Sequence, residues 1–268
     1  MTTHVTVLGS ANIDIVIRAP SIPAPGETVL ARDSERHHGG KGANQAVAAA
    51  KTGAVTELVA AFGNDTSGEV YRQKLSEFGV GTSACVTVPG APTGTAFVTV
   101  DDRGENAIAV VTGANAYLTA ESAIAAIDWS SSWLLTQFEV PISTVAAVLR
   151  VARDRGVRTA LNASPASADI SSIAALADLV IVNEHEFIAV ADHPNVCVTR
   201  GASGAIWGGI IARPPQTEVV DSTGAGDVFA GTLVGHLALG VDSHTALTRA
   251  VESSAYAVRY LGAQGATK

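Results

Sequence analysis

Short apolar runs alternate along the chain with Ala-rich stretches of helical spacing. His4-Val-Thr-Val-Leu8 opens with a strand pattern. The spacing predicts a helix over Ala43–Thr52, closed by Gly53, which can take the left-handed position after a helix. A second helix carries Tyr71, Leu75 and Phe78 on one face, with Ser67 as its cap and Gly79 as its stop. Pro141 suits the first turn of a third, whose Val145, Val148, Leu149 and Ala152 form an apolar stripe that Gly156 ends. Strand-like runs follow at Arg158–Asn162, Leu179–Asn183, Val196–Thr199 and Ala205–Ile211. This rhythm predicts an α/β fold with a largely parallel sheet covered by helices on both faces.

Two stretches break the rhythm. Ile13–Ile17 and Thr28–Arg32 read as a strand pair joined through Pro20, Pro23, Pro25 and Gly26. Thr95–Val100 and Asn106–Val111 read as a hairpin around Asp101-Asp-Arg-Gly104. Four strands without intervening helices predict a small β lid, from about 13–38 and 94–112, beside the main sheet. A lid of this kind has one face to cover, by closure over a substrate or by a partner subunit in a homodimer. No linker, repeat or low-complexity stretch divides the chain, so one domain over 1–268 is expected.

Composition narrows the classes. Of 268 residues, 47% are hydrophobic and 16% charged, enough for a sizeable core and unlike a disordered chain. The net charge of −8 offers no basic stripe for a nucleic acid, though a nucleotide needs only a local anion site. Cys85 and Cys197 give neither a disulfide framework nor metal-ligand spacing. No basic region and long apolar stretch open the chain, and the apolar stretch Val228–Val241 is too short to span a membrane. A cytoplasmic protein with no membrane partner is expected.

Two glycine-rich motifs could carry chemistry. In Glu218-Val-Val-Asp221-Ser-Thr-Gly224-Ala-Gly226-Asp227, a strand is expected to run into a turn, with a helix starting near Gly226. Unpaired N–H groups at a helix start attract phosphate, and Gly224 and Gly226 let an anion come close. Asp227 then falls in the first turn, where the helix dipole would hold it ionised and ready to accept a hydroxyl proton. A helix-capping aspartate after a tight turn would look the same. The second motif, Gly39-Gly40-Lys41-Gly-Ala-Asn44, leads into a helix and offers donors to sugar hydroxyls. Neither fits the Walker A or dinucleotide pattern.

Together and in this order, the two motifs resemble the signatures of the ribokinase-like (PfkB) carbohydrate kinases. Gly9-Ser-Ala-Asn12-Ile-Asp14, Pro25-Gly-Glu-Thr28, Gln45-Ala-Val-Ala, Thr136-Gln-Phe-Glu139-Val-Pro and Ala160-Leu-Asn162 are similar to the ribokinase members. The resemblance covers essentially the whole chain. It implies a three-layer sandwich with a small β-sheet lid, and an ATP-dependent kinase of a pentose, ribose going to ribose 5-phosphate. Asp227 would be the general base, and the Gly224, Ala225, Gly226 and Asp227 N–H groups the anion hole. Asn12, Asp14, Gly40, Lys41, Asn44 and Glu139 would hold the sugar. Thr199, Gly201 and Gly204 would lie against the nucleotide, with Gly226. Asn183 and Glu186 match an Asn-x-x-Glu motif that helps place Mg2+ through water, but they also read as a capping box. Asp221 and Thr223, with the backbone near Ala257, Tyr260 and Gly262, would form a K+ site; Ala266 stands where a hydroxyl residue is usual.

The resemblance leaves the acceptor open among ribose, a nucleoside, pseudouridine, deoxyribose and fructose. A non-catalytic sugar or nucleotide sensor would use the same cleft. The segments between Glu186 and Val196, from Gly208 to Thr217, and after Gln264 are shorter than the resemblance implies, so a shallower nucleotide pocket is expected.

Overall fold

A computed structural model describes residues 4–166 and 170–265. The first part of the chain runs through β1 (His4–Leu8), β2 (Asn12–Arg18), β3 (Asp33–Gly39), α1 (Lys41–Lys51), β4 (Val55–Val59), β5 (Ala61–Gly63) and α2 (Thr66–Glu77). There follow β6 (Val80–Gly81), β7 (Val86–Val88), β8 (Gly94–Val100), β9 (Asn106–Val111), α3 (Ala120–Ala126), β10 (Trp133–Thr136) and α4 (Ile142–Asp154). The last part holds β11 (Arg158–Asn162), α5 (Ile170–Ala174), β12 (Leu179–Asn183), α6 (Glu184–Phe187), β13 (Val196–Thr199), β14 (Ala205–Trp207), β15 (Ile210–Ala212), α7 (Ala225–Ala238) and α8 (Ser243–Ala257).

The main sheet has the order β15-β14-β13-β12-β11-β10-β1-β4-β6. Every neighbouring pair from β6 to β13 is parallel, while β14 and β15 close the edge as an antiparallel hairpin. Two cores flank it. One packs α1, α7 and α8 on one face through Ala46, Leu233 and Leu247; the other packs α4 through Val145, Val148 and Leu149 on the opposite face. Strands buried on both faces read as continuous apolar runs, which is why β12, with Leu179–Val182, was legible.

The smaller sheet has the order β3-β2-β8-β9. The β8–β9 hairpin follows the expected boundaries, but Thr28–Arg32 is not a strand. β2 extends to Arg18, so its antiparallel partner begins opposite it at Asp33 and ends with Gly39 opposite Asn12. The polar run Asp33-Ser-Glu-Arg-His-His reads as loop by hydropathy, yet charge suits an edge strand. Three further expectations shift. Asp65, not Ser67, caps α2, accepting from Gly68 N–H at 2.8 Å. The Ala205–Ile211 run is broken by Gly208 and Gly209 at φ 56° and 81°. Residues 213–223 form no strand before the glycine turn.

α1 and α7 cross with their backbones in contact. A Cβ built on Gly231 would overlap the Gln45 carbonyl oxygen, and one on Gly235 would press on Thr52 and the Ala49 carbonyl. Both glycines lie on the helix face that carries Asp227 at its head. Gly231→Ala should force the two helices apart at a backbone atom that cannot rotate away, costing about 1–3 kcal/mol of stability. Chemical denaturation checks this; an unchanged or raised midpoint would refute the crossing as described.

Candidate active site

The chain leaves β1 and β10 in opposite directions, to β4 on one side and β11 on the other. Crevices open at the carboxyl ends of strands where the order reverses in this way. The sequence-predicted residues gather there. β2 supplies Asn12 and Asp14, and the end of β3 supplies the glycines that cover them. A Cβ on Gly39 would fall on the Asp14 carboxylate; Gly40, at φ 87°, would press one against the Asn12 N–H. Only glycine fits both the left-handed backbone and the contact. Lys41 opens α1 with its N–H on Glu139 Oε2 at 2.9 Å, and Ser10 Oγ donates to the same oxygen at 2.5 Å.

Asp227 is buried in the first turn of α7. Asn44 Nδ2 donates to its Oδ2 at 3.0 Å and Gln45 Nε2 to its Oδ1 at 2.9 Å. The glycine-rich loop and the distant aspartate are therefore in direct contact. Asp221 lies before the turn, its carboxylate accepting from the N–H groups of Thr223 at 2.8 Å and Gly262 at 2.8 Å. Gly224 caps α7 at φ 76°, against Ala263. The Ala225 N–H closes the turn onto the Ser222 carbonyl at 3.2 Å.

The electrostatics depart from the simple helix-dipole expectation. Burial pushes the Asp227 carboxyl up, and this outweighs the lowering by Lys41, Asn44 and Gln45. Asp14 is pushed up to about 7, first by burial and then by Glu139 and Asp227. Burial pulls Lys41 down, but Asp227, Glu139 and Glu186 together hold it above its ordinary value. Lys41 thus lies in the field of three carboxylates. Asp221 differs: two N–H groups and the Thr223 side chain, with His37 nearby, overcome its burial and hold it below the usual range.

A second cleft of about 470 Å³ adjoins the head of α7. Thr199, Gly201, Gly204, Gln216, Ser222 and Gly226 are among the residues that line it. Asn183 caps α6 as expected. Its Oδ1 accepts from His185 and Glu186 N–H at 2.9 and 2.8 Å, and Glu186 Oε2 accepts from Asn183 N–H at 2.9 Å. Among the described residues no cluster of three or more His, Cys, Asp or Glu side chains could hold a metal. The Asp221 and Thr223 stretch does meet the one bearing Ala257, Tyr260 and Gly262: the Val220 and Asp221 N–H groups bond the Val258 carbonyl. Ala266 lies outside the described residues.

Sequence reasoning assigned no role to the buried amides and phenol behind these groups. Gln45, Gln137 and Asn115 are buried, Asn115 Nδ2 donating to Asn12 Oδ1 at 2.7 Å. Tyr71 donates to the Gly39 carbonyl at 2.7 Å while Gln264 Nε2 bridges its hydroxyl and Asn44 Oδ1. A glutamine at a core position of an Ala-rich helix is the signal that was available.

Residues 2–268 match the pfkB family carbohydrate kinases. This chain belongs to that family. It is 33% identical over 268 residues to the ribokinase of Haemophilus influenzae, covering 87% of this chain and 85% of that one. Over 290 residues it is 29% identical to the deoxyribokinase of Salmonella typhi, with 97% and 94% covered. The solved structure of Arabidopsis thaliana ribokinase complexed with ribose and ATP matches with a TM-score of 0.85 at 28% identity, over 99% of this chain and 96% of that one. The pfkB chain described here is thus a ribokinase-like sugar kinase, a phosphotransferase with an alcohol acceptor, in the ribokinase fold. Among the described residues no helix is long and apolar enough to cross a membrane.

The raised Asp14 carboxyl has a consequence for stability. Between its unfolded value and about 7 the folded chain holds a proton that the unfolded chain releases, so this contribution is lost as pH rises through 7. Asp14→Asn should be more stable than the parent at pH 8, and the advantage should vanish toward pH 4. Thermal melts across that range check it; a pH-independent difference would contradict the burial of this charge.

Proposed function

We propose that the chain is an ATP-dependent ribokinase, transferring the γ-phosphate to the primary hydroxyl of D-ribose to give ribose 5-phosphate. One observation carries the reading: the Asp227 carboxylate is bonded directly to Asn44 of the Gly39–Asn44 loop, between an acceptor crevice and a nucleotide-sized cleft. The likeness to a ribokinase of known ribose and ATP complex supports it.

The acceptor crevice brings Asp14, Glu139 and Asp227 within one another's field, and Lys41 within that of Asp227 and Glu139. A neutral polyol offers each carboxylate a hydroxyl donor without adding charge, and vicinal hydroxyls suit side chains that bridge two of them. Asn12, Asp14, Gly40, Lys41, Asn44 and Glu139 hold the sugar in this reading. Asp227 takes the proton of the attacking hydroxyl as the new O–P bond forms. The bond between the γ-phosphorus and its bridging oxygen breaks, and ADP leaves. A carboxyl raised by burial is a stronger base than an exposed one, which favours this role. The N–H groups of Gly224–Asp227 steady the transferring phosphoryl, with the Ala225 N–H turning from Ser222 to do so.

Thr199, Gly201, Gly204 and Gly226 lie against the nucleotide. The Asn183–Glu186 pair fits Mg2+ held through water, since each side chain already caps the other and few direct ligands remain. The ion, when bound, offsets phosphate charge. Asp221, kept ionised beside backbone carbonyls, provides the hard oxygens that K+ prefers, with Thr223, Ala257, Tyr260 and Gly262 around it. K+ there would shape the anion turn.

Ribose, deoxyribose, fructose, pseudouridine and nucleosides, each with ATP and magnesium, form the deciding panel. Turnover should be greatest with ribose, higher in potassium than in sodium salts, and reduced at least about a hundredfold in Asp227→Asn while sugar binding persists. Deoxyribose preferred would move the acceptor; equal rates in both salts would remove the cation; binding without turnover on any acceptor would make the protein a sensor.

The small sheet is also proposed to join two copies. Register places Asp14, Ala96 and Val110 on one face, with Val16, Val98 and Ile108 beside them. Ile108 and Val110 are more than half exposed. The face that borders the acceptor crevice therefore continues into an uncovered apolar patch, which a second copy would cover. Light scattering at micromolar concentration should give a dimer, and Ile108→Lys a monomer; a monomeric parent would refute the interface.

A further inference from the structure

Gln45 follows Asn44 on the buried side of α1, and neither the acceptor nor the nucleotide reading uses it. Its side chain and that of Gln137 are both fully buried. An ionised carboxylate only accepts hydrogen bonds, so the amide that touches it must present its N–H. Gln45 Nε2 therefore faces Asp227 Oδ1 at 2.9 Å and turns Oε1 away, to where Gln137 Nε2 donates at 2.6 Å. Exchanging nitrogen and oxygen in either amide would set two acceptors face to face. The chain Gln137 to Gln45 to Asp227 has one direction.

We propose that Gln45 is a positioning residue for Asp227, with Gln137 as its anchor: the pair fixes the rotation of the carboxylate and favours its charged form, leaving the remaining lone pairs for the acceptor hydroxyl. The inference rests on the base role given to Asp227 above. Several features converge on it. Gln137 lies two residues before Glu139 in the loop after β10, so the base and a sugar-holding carboxylate share one support. Gly9 leaves the room Gln137 needs, because a Cβ there would overlap Gln137 Oε1, and Gly42 packs on Gly9 from α1. The α1–α7 crossing at Gly231 clamps the Gln45 backbone itself. Asn44 Nδ2 donates to the other Asp227 carboxylate oxygen at 3.0 Å, and the titratable groups acting on Asp227 are Lys41 from α1, which favours its charge, and Glu139, Asp14 and Tyr71 from the β10 loop, β2 and α2. Gln45 adds no charge to this balance; it adds direction.

Gln45→Met keeps the length of the side chain and removes the donor. The variant should lose about tenfold to a hundredfold in kcat while its acceptor KM stays within about threefold. Its acidic limb in the kcat–pH profile should move up by about one pH unit, so that the deficit narrows as pH rises. A merely structural filler would lower kcat equally at every pH. Gln137→Met, which keeps the Gln45 donor but frees it to rotate, should shift kcat and the limb in the same direction by less, and carries the test if Gln45→Met fails to fold. A parent-like limb and kcat in the folded variant, beside an inactive Asp227→Asn, would overturn the inference alone. Turnover retained by Asp227→Asn would overturn the base role and this inference with it.

Discussion

The site depends on the contact between two helix backbones. Asp227 and Gln45 belong to segments about 180 residues apart, and a hydrogen bond between them requires α1 and α7 to approach more closely than ordinary side chains permit. Gly231 and Gly235 supply that approach by having nothing to interpose. Fixing the crossing fixes the height of Asp227 above the Gly39–Asn44 loop, since the aspartate sits one helical turn before Gly231. The same crossing seals the carboxylate from water. Geometry and electrostatics at the site therefore follow from one packing decision.

Sealing has a cost that the surroundings answer in different ways. A buried carboxylate without partners is destabilising by several kcal/mol, about as much as a small domain's margin allows. Asp227 keeps two amide donors and a lysine, yet burial still pushes it up. Among the described residues Asp14 has no such pair of donors, and burial beside Glu139 and Asp227 pushes it up to about 7. The crevice is thus incompletely satisfied by the protein alone. Hydroxyl donors from a bound polyol are the complement it lacks, and this links the cost in stability to the affinity for an acceptor.

Much of this was legible in the sequence, for physical reasons that also mark the limits. β12 was readable because burial on both faces leaves Leu179–Val182 an uninterrupted apolar run. The glycine motifs were readable because left-handed backbone at Gly40 and Gly224 restricts the residue type. β3 was misplaced because its pairing is set by the length of β2, a tertiary fact, while its own residues are polar. The pKa direction of Asp227 was missed because a helix dipole is visible locally and desolvation is not. Gln45, Gln137, Asn115 and Gln264 were passed over as ordinary polar residues. Their hydrogen bonds span 92 to 220 residues, and no local pattern encodes such partners.

Three consecutive residues near the end of the described chain show how the two halves of the crevice are kept in register. Gly262 N–H bonds Asp221 at the entry to the glycine turn. Ala263 packs against Gly224 at its tip. Gln264 reaches past it to Asn44, and through Tyr71 to the Gly39 carbonyl. The turn that would meet phosphate and the loop that would meet the acceptor are thus braced from one short segment, although 220 residues separate Asn44 from Gln264. Residues 213–223 can remain without regular structure because their far end is held here. A displacement of the 262–264 segment would move the anion turn and the Asn44 side chain together, so donor and acceptor alignment cannot drift independently.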